Sequence, residues 1–310
     1  MNPPARARPP HFSIIHGMQI FLLLSAVFLL GQEPSGDQYL VDIGEKGESV
    51  SRFCAEIAVK GNEFRLRSEA HTDVRLVRES AADGEAAPGP GVYRMSLGGR
   101  AVPVTAGADG GSLLFVSAKG TTLRLTQAGC PSAAPPVKGW YSPFMGGSRK
   151  AIGAIEKRVV GQLGDYRASR RAARRHAGVD LRGDFSEEVY PVAAGRVVGL
   201  SFRALTGTVV IKHDPGSGRP VYSKYIHLQD IPVKVGQEVS PETRIGRLFD
   251  EAMLGRTHYR HNHLHLEIRK SYADKGQVSS HGQSIRLLRR YCYDPVDFLS
   301  KHMKAESLPP

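Results

Sequence analysis

The sequence is short of the signatures that mark most hydrolases and nucleic-acid binders. Its three cysteines, Cys54, Cys130 and Cys292, include no C-x-x-C pair, which argues against a cysteine-held metal. HExxH and GxSxG are both absent, so neither a helix-borne histidine pair nor a nucleophile elbow carries the chemistry. Zinc-finger spacing, an RNP-like aromatic signature and basic heptads are absent too, which leaves no nucleic-acid module. No internal repeat and no low-complexity tract runs through the 310 residues, so a globular chain of one large or two ordinary domains is expected.

Acidic residues are scarce, 30 against 42 basic ones, for a formal net charge of +12. The excess is local. Arg149, Lys150, Lys157, Arg158, Arg167, Arg170, Arg171, Arg174 and Arg175 crowd one stretch that only Glu156 and Asp165 oppose. Such a stretch suits an anionic envelope polymer better than nucleic acid, and a plain solvated face suits it equally.

The N-terminus favours the envelope. Arg6 and Arg8 precede the apolar run MQIFLLLSAVFLLG, residues 18 to 31, which has the length of a signal-peptide core and is short for a membrane span. No small-x-small cleavage site follows it, so residues 1–35 read as a signal peptide or an uncleaved N-terminal membrane anchor. Export leads to an oxidising compartment, where three cysteines most simply give one disulfide and one free thiol. Cys54 and Cys130 bracket one region and are the expected pair, although three free thiols stay open.

That region, 36–130, reads as a small β-rich domain. NEFRLRS alternates, and SLLFVSAKGTTLRLTQ is two alternating runs about Lys119-Gly120, a hairpin signal. PSAAPPVKG, residues 131–139, breaks the periodicity with three prolines and reads as a linker. Chemistry collects from 140 to 303, and 304–310 is a tail.

Within that second region, VYPVAAGRVVGL (189–200), TGTVVIKHD (206–214) and VYSKYIHL (221–228) are β-type runs separated by glycine-bearing turns. HNHLHLEI (261–268) belongs with them. A mainly antiparallel sheet with one wet face is expected. On a strand, His261, His263, His265 and Glu267 point one way while Leu264, Leu266 and Ile268 point the other. The same rule gives Ser223, Tyr225 and His227 a shared face. Upstream, RRHAGVDL sets His176 four residues before Asp180.

Metal chemistry gives these residues a common purpose. Zinc takes imidazole nitrogen and carboxylate oxygen at about 2.0–2.2 Å, and a catalytic site uses three protein ligands with a fourth position for water. Two histidines and one aspartate meet that count, and further histidines can move protons or hold an oxyanion. Any one of these histidines alone is more often a structural group. What outweighs that reading is the agreement of separate motifs in type and order.

In that order, RHAGVDL, YIHL and HLHLEI resemble the lysostaphin-type zinc metallopeptidases, also called LytM-like or glycyl-glycine endopeptidases, which cut peptide bonds in peptidoglycan. The resemblance covers roughly residues 155–300 and includes VYPVAAGRVV, VGQEVSPETRIGRL and a closing YDPVDFL. It implies an antiparallel β-sheet metallopeptidase domain with an open groove over residues 140–303, preceded by the small all-β domain. It also implies one zinc per chain held by His176, Asp180 and His265, with His227 and His263 as unligated catalytic histidines. Peptidoglycan becomes the expected partner and the periplasm or cell envelope the expected location. A different class stays open, because some members are non-catalytic regulators that activate another wall hydrolase. His213 reads as structural support and His261 as a structural or surface residue, while His258, His281 and His302 lie outside the motifs. The sequence departs from the family where LFDEAMLGRTHYRHN leads into the HLH strand and where 269–290 make a longer excursion.

Overall fold

The computed structural model describes residues 38–45, 48–61, 63–69, 74–79, 91–97, 100–109, 112–127, 130, 133–167, 174–203, 205–257, 259–271 and 284–303. The signal or anchor expected in 1–35 and the tail expected in 304–310 lie outside these residues, as do His258 and His281. Among the described residues no helix is long and apolar enough to cross a membrane.

Alternation folds the first region into β1 (Gln38–Glu45), β2 (Glu48–Lys60), β3 (Glu63–Arg67), β4 (Val74–Arg78), β5 (Gly91–Leu97), β6 (Arg100–Asp109), β7 (Ser112–Val116) and β8 (Thr121–Gln127), with a bulge in β1 at Ile43–Gly44. Each strand pairs antiparallel with the next, and β8 returns to pair with β1, so the sheet closes on itself. Closure pairs each strand with two neighbours over part of its length and turns one residue in two inward. The inward set includes Val41, Phe53, Phe64, Leu66, Leu76 and Met95, with Tyr93 meeting Phe115 edge-on at 5.3 Å. Lys119-Gly120 makes the turn between β7 and β8, and Gly120 takes the left-handed φ of 79° that glycine permits. A disulfide joins Cys54 on β2 to Cys130 beyond β8, across a Cα separation of 6.0 Å, and Cys292 is free and buried.

β2 is long enough to serve two sheets. Along Ser51–Phe53 it pairs on one side with β1 and on the other with β14 (Gly195–Arg203), so the hydrogen-bonded ladder runs on into the second half of the chain. Lys212 adds an ion pair to Glu69 at 2.7 Å. Between the halves, residues 133–139 form no helix or strand and meet the second half at an isolated β-bridge, Pro136 to Asp214. Val137 N–H donates to the Asp214 carbonyl, and Trp140 then enters the second core.

The second half continues with α1 (Gly153–Glu156), β9 (Val159–Gly161), β10 (Tyr166–Arg167), β11 (Arg174–Arg175), β12 (Val179–Arg182) and β13 (Glu188–Val189). After β14 come β15 (Thr206–His213), β16 (Val221–Leu228), β17 (Glu238–Val239), β18 (Gly246–Arg247), α2 (Glu251–Gly255), β19 (His263–Arg269), α3 (Ile285–Tyr291), β20 (Cys292–Tyr293) and α4 (Pro295–His302). The antiparallel order β14, β15, β16, β19, β12, β9 makes the fold mainly β. α4 explains the closing YDPVDFL. Asp294 caps the Val296 N–H at 3.0 Å, Pro295 sits in the first turn, and Phe298 packs edge-on against Trp140 at 4.8 Å.

Three sequence expectations are corrected. VYPVAAGRVVGL is not one strand: β13 ends at Val189, and β14 starts only at Gly195, because Pro191 has no N–H to donate. His261 and Asn262 precede β19 rather than belonging to it. The expected wet face is covered, since every residue of β19 is buried, including His263, His265 and Glu267.

His213 is fully buried as the sequence reading of structural support implies. Its Nδ1–H donates to the Ala194 carbonyl at 2.8 Å, and its Nε2 meets the Ser223 hydroxyl at 2.7 Å. Burial lowers its pKa to about 4. The folded protein therefore resists a proton that the unfolded chain accepts near pH 6.5, so stability present above pH 6.5 is lost as the pH falls toward 4. Urea unfolding at pH 7 and pH 4 should show wild type losing roughly 3 kcal/mol more than His213→Gln over that interval. An equal loss in both proteins would refute the assignment. Closing a loop of 76 residues by the disulfide should stabilise the protein by roughly 4 kcal/mol, so Cys54→Ser should lower the urea midpoint and reduction should bring wild type to the same value.

Candidate metal centre and active site

Two adjacent strands set the site. β12 pairs with β19 so that Asp180 lies opposite His265 and Arg182 opposite His263, and residues paired this way share a face. His176 reaches the same point from the segment entering β12. Gly178 allows that approach, because a Cβ there would stand 2.2 Å from the Leu266 carbonyl oxygen. His176 Nε2, Asp180 Oδ1 and His265 Nδ1 then converge, with separations of 3.0, 3.0 and 2.8 Å.

The outer hydrogen bonds decide what those atoms are. His176 Nδ1–H donates to the Gln162 carbonyl at 2.8 Å, and His265 Nε2–H donates to Glu267 Oε1 at 3.1 Å. In the neutral rings, the nitrogens left facing each other carry lone pairs rather than protons. Two imidazole lone pairs and a carboxylate oxygen in mutual contact repel one another unless a positive centre lies among them. This donor set fits zinc, and it matches the pattern in which a ligating histidine gives its other N–H to a carboxylate or carbonyl. Without a cation, protons on the inner nitrogens take its place: burial opposes charge on Asp180, but hydrogen bonds from His176 and His265 then outweigh it and hold the carboxyl well below its usual range. Burial likewise pulls His265 down, while Asp180 and Glu267 outweigh it and raise its pKa.

His227 and His263 complete the cluster. Their rings lie 4.9 Å apart, and His227 is 6.3 Å from the His265 ring. His263 Nδ1–H donates to the His261 carbonyl at 2.9 Å, leaving Nε2 bare at 3.8 Å from Asp180 Oδ1. Burial keeps both rings neutral at pH 7, with the neighbouring histidines adding to the effect on His227.

The route by which His227 arrives differs from the expected one. Ser223 and Tyr225 do face the core, where Tyr225 Oη accepts the Val192 N–H at 2.8 Å. His227 does not share their face. The β15–β16 register slips between Gly207 and Thr208, and His227 takes a left-handed φ of 73°, so a bulge swings its ring round to His263. A non-glycine residue held there costs on the order of 1–3 kcal/mol, a strain typical of functional positions.

Four partners went unassigned in the sequence. Arg167 Nη2–H donates to Asp180 Oδ2 at 2.6 Å, leaving Oδ1 to the histidines. Gly161 makes room for it, since a Cβ there would sit 2.5 Å from Arg167 Nη2. Tyr259 packs its ring 4.6 Å from His227 and 5.2 Å from His263. Gln162 holds His176 through its backbone, which no side-chain pattern could reveal. Glu267 was visible by alternation on the His265 face, but not as its partner.

Several members of the basic stretch turn inward. Arg149 donates to the carbonyls of Ser142, Pro191 and Pro241, and Arg158 forks onto Glu187 at 2.8 and 2.9 Å. Arg175 donates to the Gly164 carbonyl, while Arg170 and Arg171 lie outside the described residues.

If the three convergent atoms hold zinc, metal analysis of His265→Ala and Asp180→Ala should show it lost from a chain that otherwise carries about one equivalent. His261→Ala, whose ring touches none of the three, should keep it. Full occupancy in His265→Ala would identify a different ligand set.

Comparison with known proteins agrees with this geometry. Residues 174–281 match peptidase family M23, a span that includes His176, Asp180, His227, His263 and His265. A structure of LytU is 20% identical, covering 47% of this chain and 86% of its own at a TM-score of 0.35. A zinc-containing peptidase from Vibrio cholerae is 12% identical, covering 83% of this chain and 89% of its own at a TM-score of 0.31. No curated protein matches. The likeness rests on the family match and on the residues themselves rather than on these distant structures: residues 174–281 are similar to peptidase family M23, the lysostaphin-type metallopeptidases.

Proposed function

We propose that this protein is an exported zinc endopeptidase that hydrolyses peptide bonds in peptidoglycan, in crosslinks or stem peptides. The observation that carries the reading is the convergence of His176 Nε2, Asp180 Oδ1 and His265 Nδ1 beside two neutral, unligated histidines. Bound there, zinc would polarise the scissile carbonyl and lower the pKa of a water to about 7.

The remaining work falls to this chain's own side chains. His263, with Nδ1–H committed to the His261 carbonyl, offers Nε2 to take the proton of the attacking water and then passes it to the leaving amine nitrogen. His227, held by its bulge against Tyr259, donates its N–H to the oxygen on which negative charge develops. Arg167, by occupying Oδ2 of Asp180, would keep Oδ1 directed at the cation.

Export and a location in the periplasm or cell envelope, with residues 1–35 as cleaved signal or retained anchor, belong to the same proposal. The Cys54–Cys130 disulfide supports it, since such bridges persist in oxidising compartments. The polymer itself is anionic. Cations left over from the Arg149–Arg175 stretch are the proposed contacts, fewer than the sequence count suggests because Arg149, Arg158 and Arg167 are engaged within the fold.

Digestion of purified sacculi, with released muropeptides identified by mass spectrometry, tests the reading. Wild type should release peptide-cleaved fragments, and His227→Ala and His263→Ala should each slow release by about 100- to 10,000-fold while keeping zinc. Near-wild-type rates in both variants would overturn the catalytic roles. A wild-type protein inert on sacculi that stimulates a separate wall amidase would make it a regulator instead.

A further inference from the structure

Behind His265 lies a set of charges that the proposed chemistry leaves unused. Glu267 and Arg269 are 1% and 2% exposed, and Arg269 is the largest fully buried side chain among the described residues. Arg269 Nη1–H donates to Glu267 Oε2 at 2.5 Å, and Lys224 Nζ stands 3.8 Å from Oε1. The register produces this grouping, because Lys224 on β16 lies opposite Glu267 on β19. Burying ions is costly, and apolar residues of similar volume are often as stable or more so. The other face of the same strand shows that alternative in Leu264, Leu266 and Ile268. What marks Glu267 out is its second oxygen, which accepts from His265 Nε2–H at 3.1 Å.

We propose that Glu267 is a positioning residue for the metal centre, accepting the hydrogen bond of His265 Nε2–H so that Nδ1 stays bare toward Asp180 and His176, and itself fixed by Arg269 and Lys224. The inference rests on the metal-centre reading above and extends it to a residue outside the ligand set. An imidazole can carry its proton on either nitrogen. With Nδ1 protonated, His265 would aim a hydrogen at the other two ligand atoms and offer nothing to a cation. A carboxylate anchored from behind selects the other tautomer and resists rotation of the ring.

The test is zinc affinity, measured by chelator competition on the full-length chain, together with the visible spectrum of the cobalt(II)-loaded protein. Glu267→Gln keeps the shape but removes the charge, so it should weaken zinc binding by about 10- to 100-fold and shift the cobalt bands, with the far-UV circular dichroism of the metal-free protein unchanged. Should Glu267→Gln not fold, because Arg269 is left uncompensated, Glu267→Gln with Arg269→Gln removes both charges and is held to the same comparison. A folded variant with lowered melting temperature but zinc affinity within about twofold of wild type would make Glu267 merely structural and overturn the proposal. A wild type that binds no zinc would overturn the metal-centre reading and this inference together.

Discussion

The register in which β12 meets β19 fixes where the converging donor atoms of Asp180 and His265 go. Asp180 stands opposite His265 and Arg182 opposite His263, so one hydrogen-bonded ladder brings the carboxylate and two imidazoles to a single face. A slip of one residue would send Asp180 to the apolar side with Val179 and Leu181. The backbones can approach this closely because Gly178 has no Cβ to strike the Leu266 carbonyl, and that approach also carries His176 into reach.

Around that ladder the molecule manages buried polarity by giving each group one direction to face. The Gln162 carbonyl orients His176, Arg167 occupies the far oxygen of Asp180, and Glu267 accepts the outer N–H of His265. Each outer partner removes a competing hydrogen bond from an inner atom. The inner atoms are left with only one another and whatever cation lies between them, and polar groups become a selective site in this way even at high burial.

Much of this is legible in the sequence, for identifiable reasons. Strand runs such as VYSKYIHL and the first-half hairpin announce themselves through alternation. The ligand types are restricted by coordination chemistry to the few residues that His-x-x-x-Asp and His-x-His supply. The bulge at His227 is not legible: a left-handed histidine is unfavourable locally and is selected only by the fit of β15 against β16. Nor could alternation reveal that the face bearing His263 and His265 is covered, since a two-residue period says which side a residue faces and nothing of what lies there. The Glu267, Arg269 and Lys224 grouping needs a cross-strand register that single-strand patterns do not contain. The basic stretch misleads for a related reason, because composition counts guanidiniums and cannot see which of them turn inward to carbonyls.

The sharing of β2 has a consequence for how the chain behaves when divided. β14 has β15 along one side, and along Gly199–Ser201 its other side is filled by Phe53, Arg52 and Ser51 of the closed first sheet. A fragment starting after residue 130 would bare that stretch of amides and carbonyls next to the exposed ring of Phe202. Bare strand edges recruit other strands. In the intact molecule the first half of the chain covers that edge, so dividing the chain there would uncover hydrogen-bonding groups that the fold keeps paired.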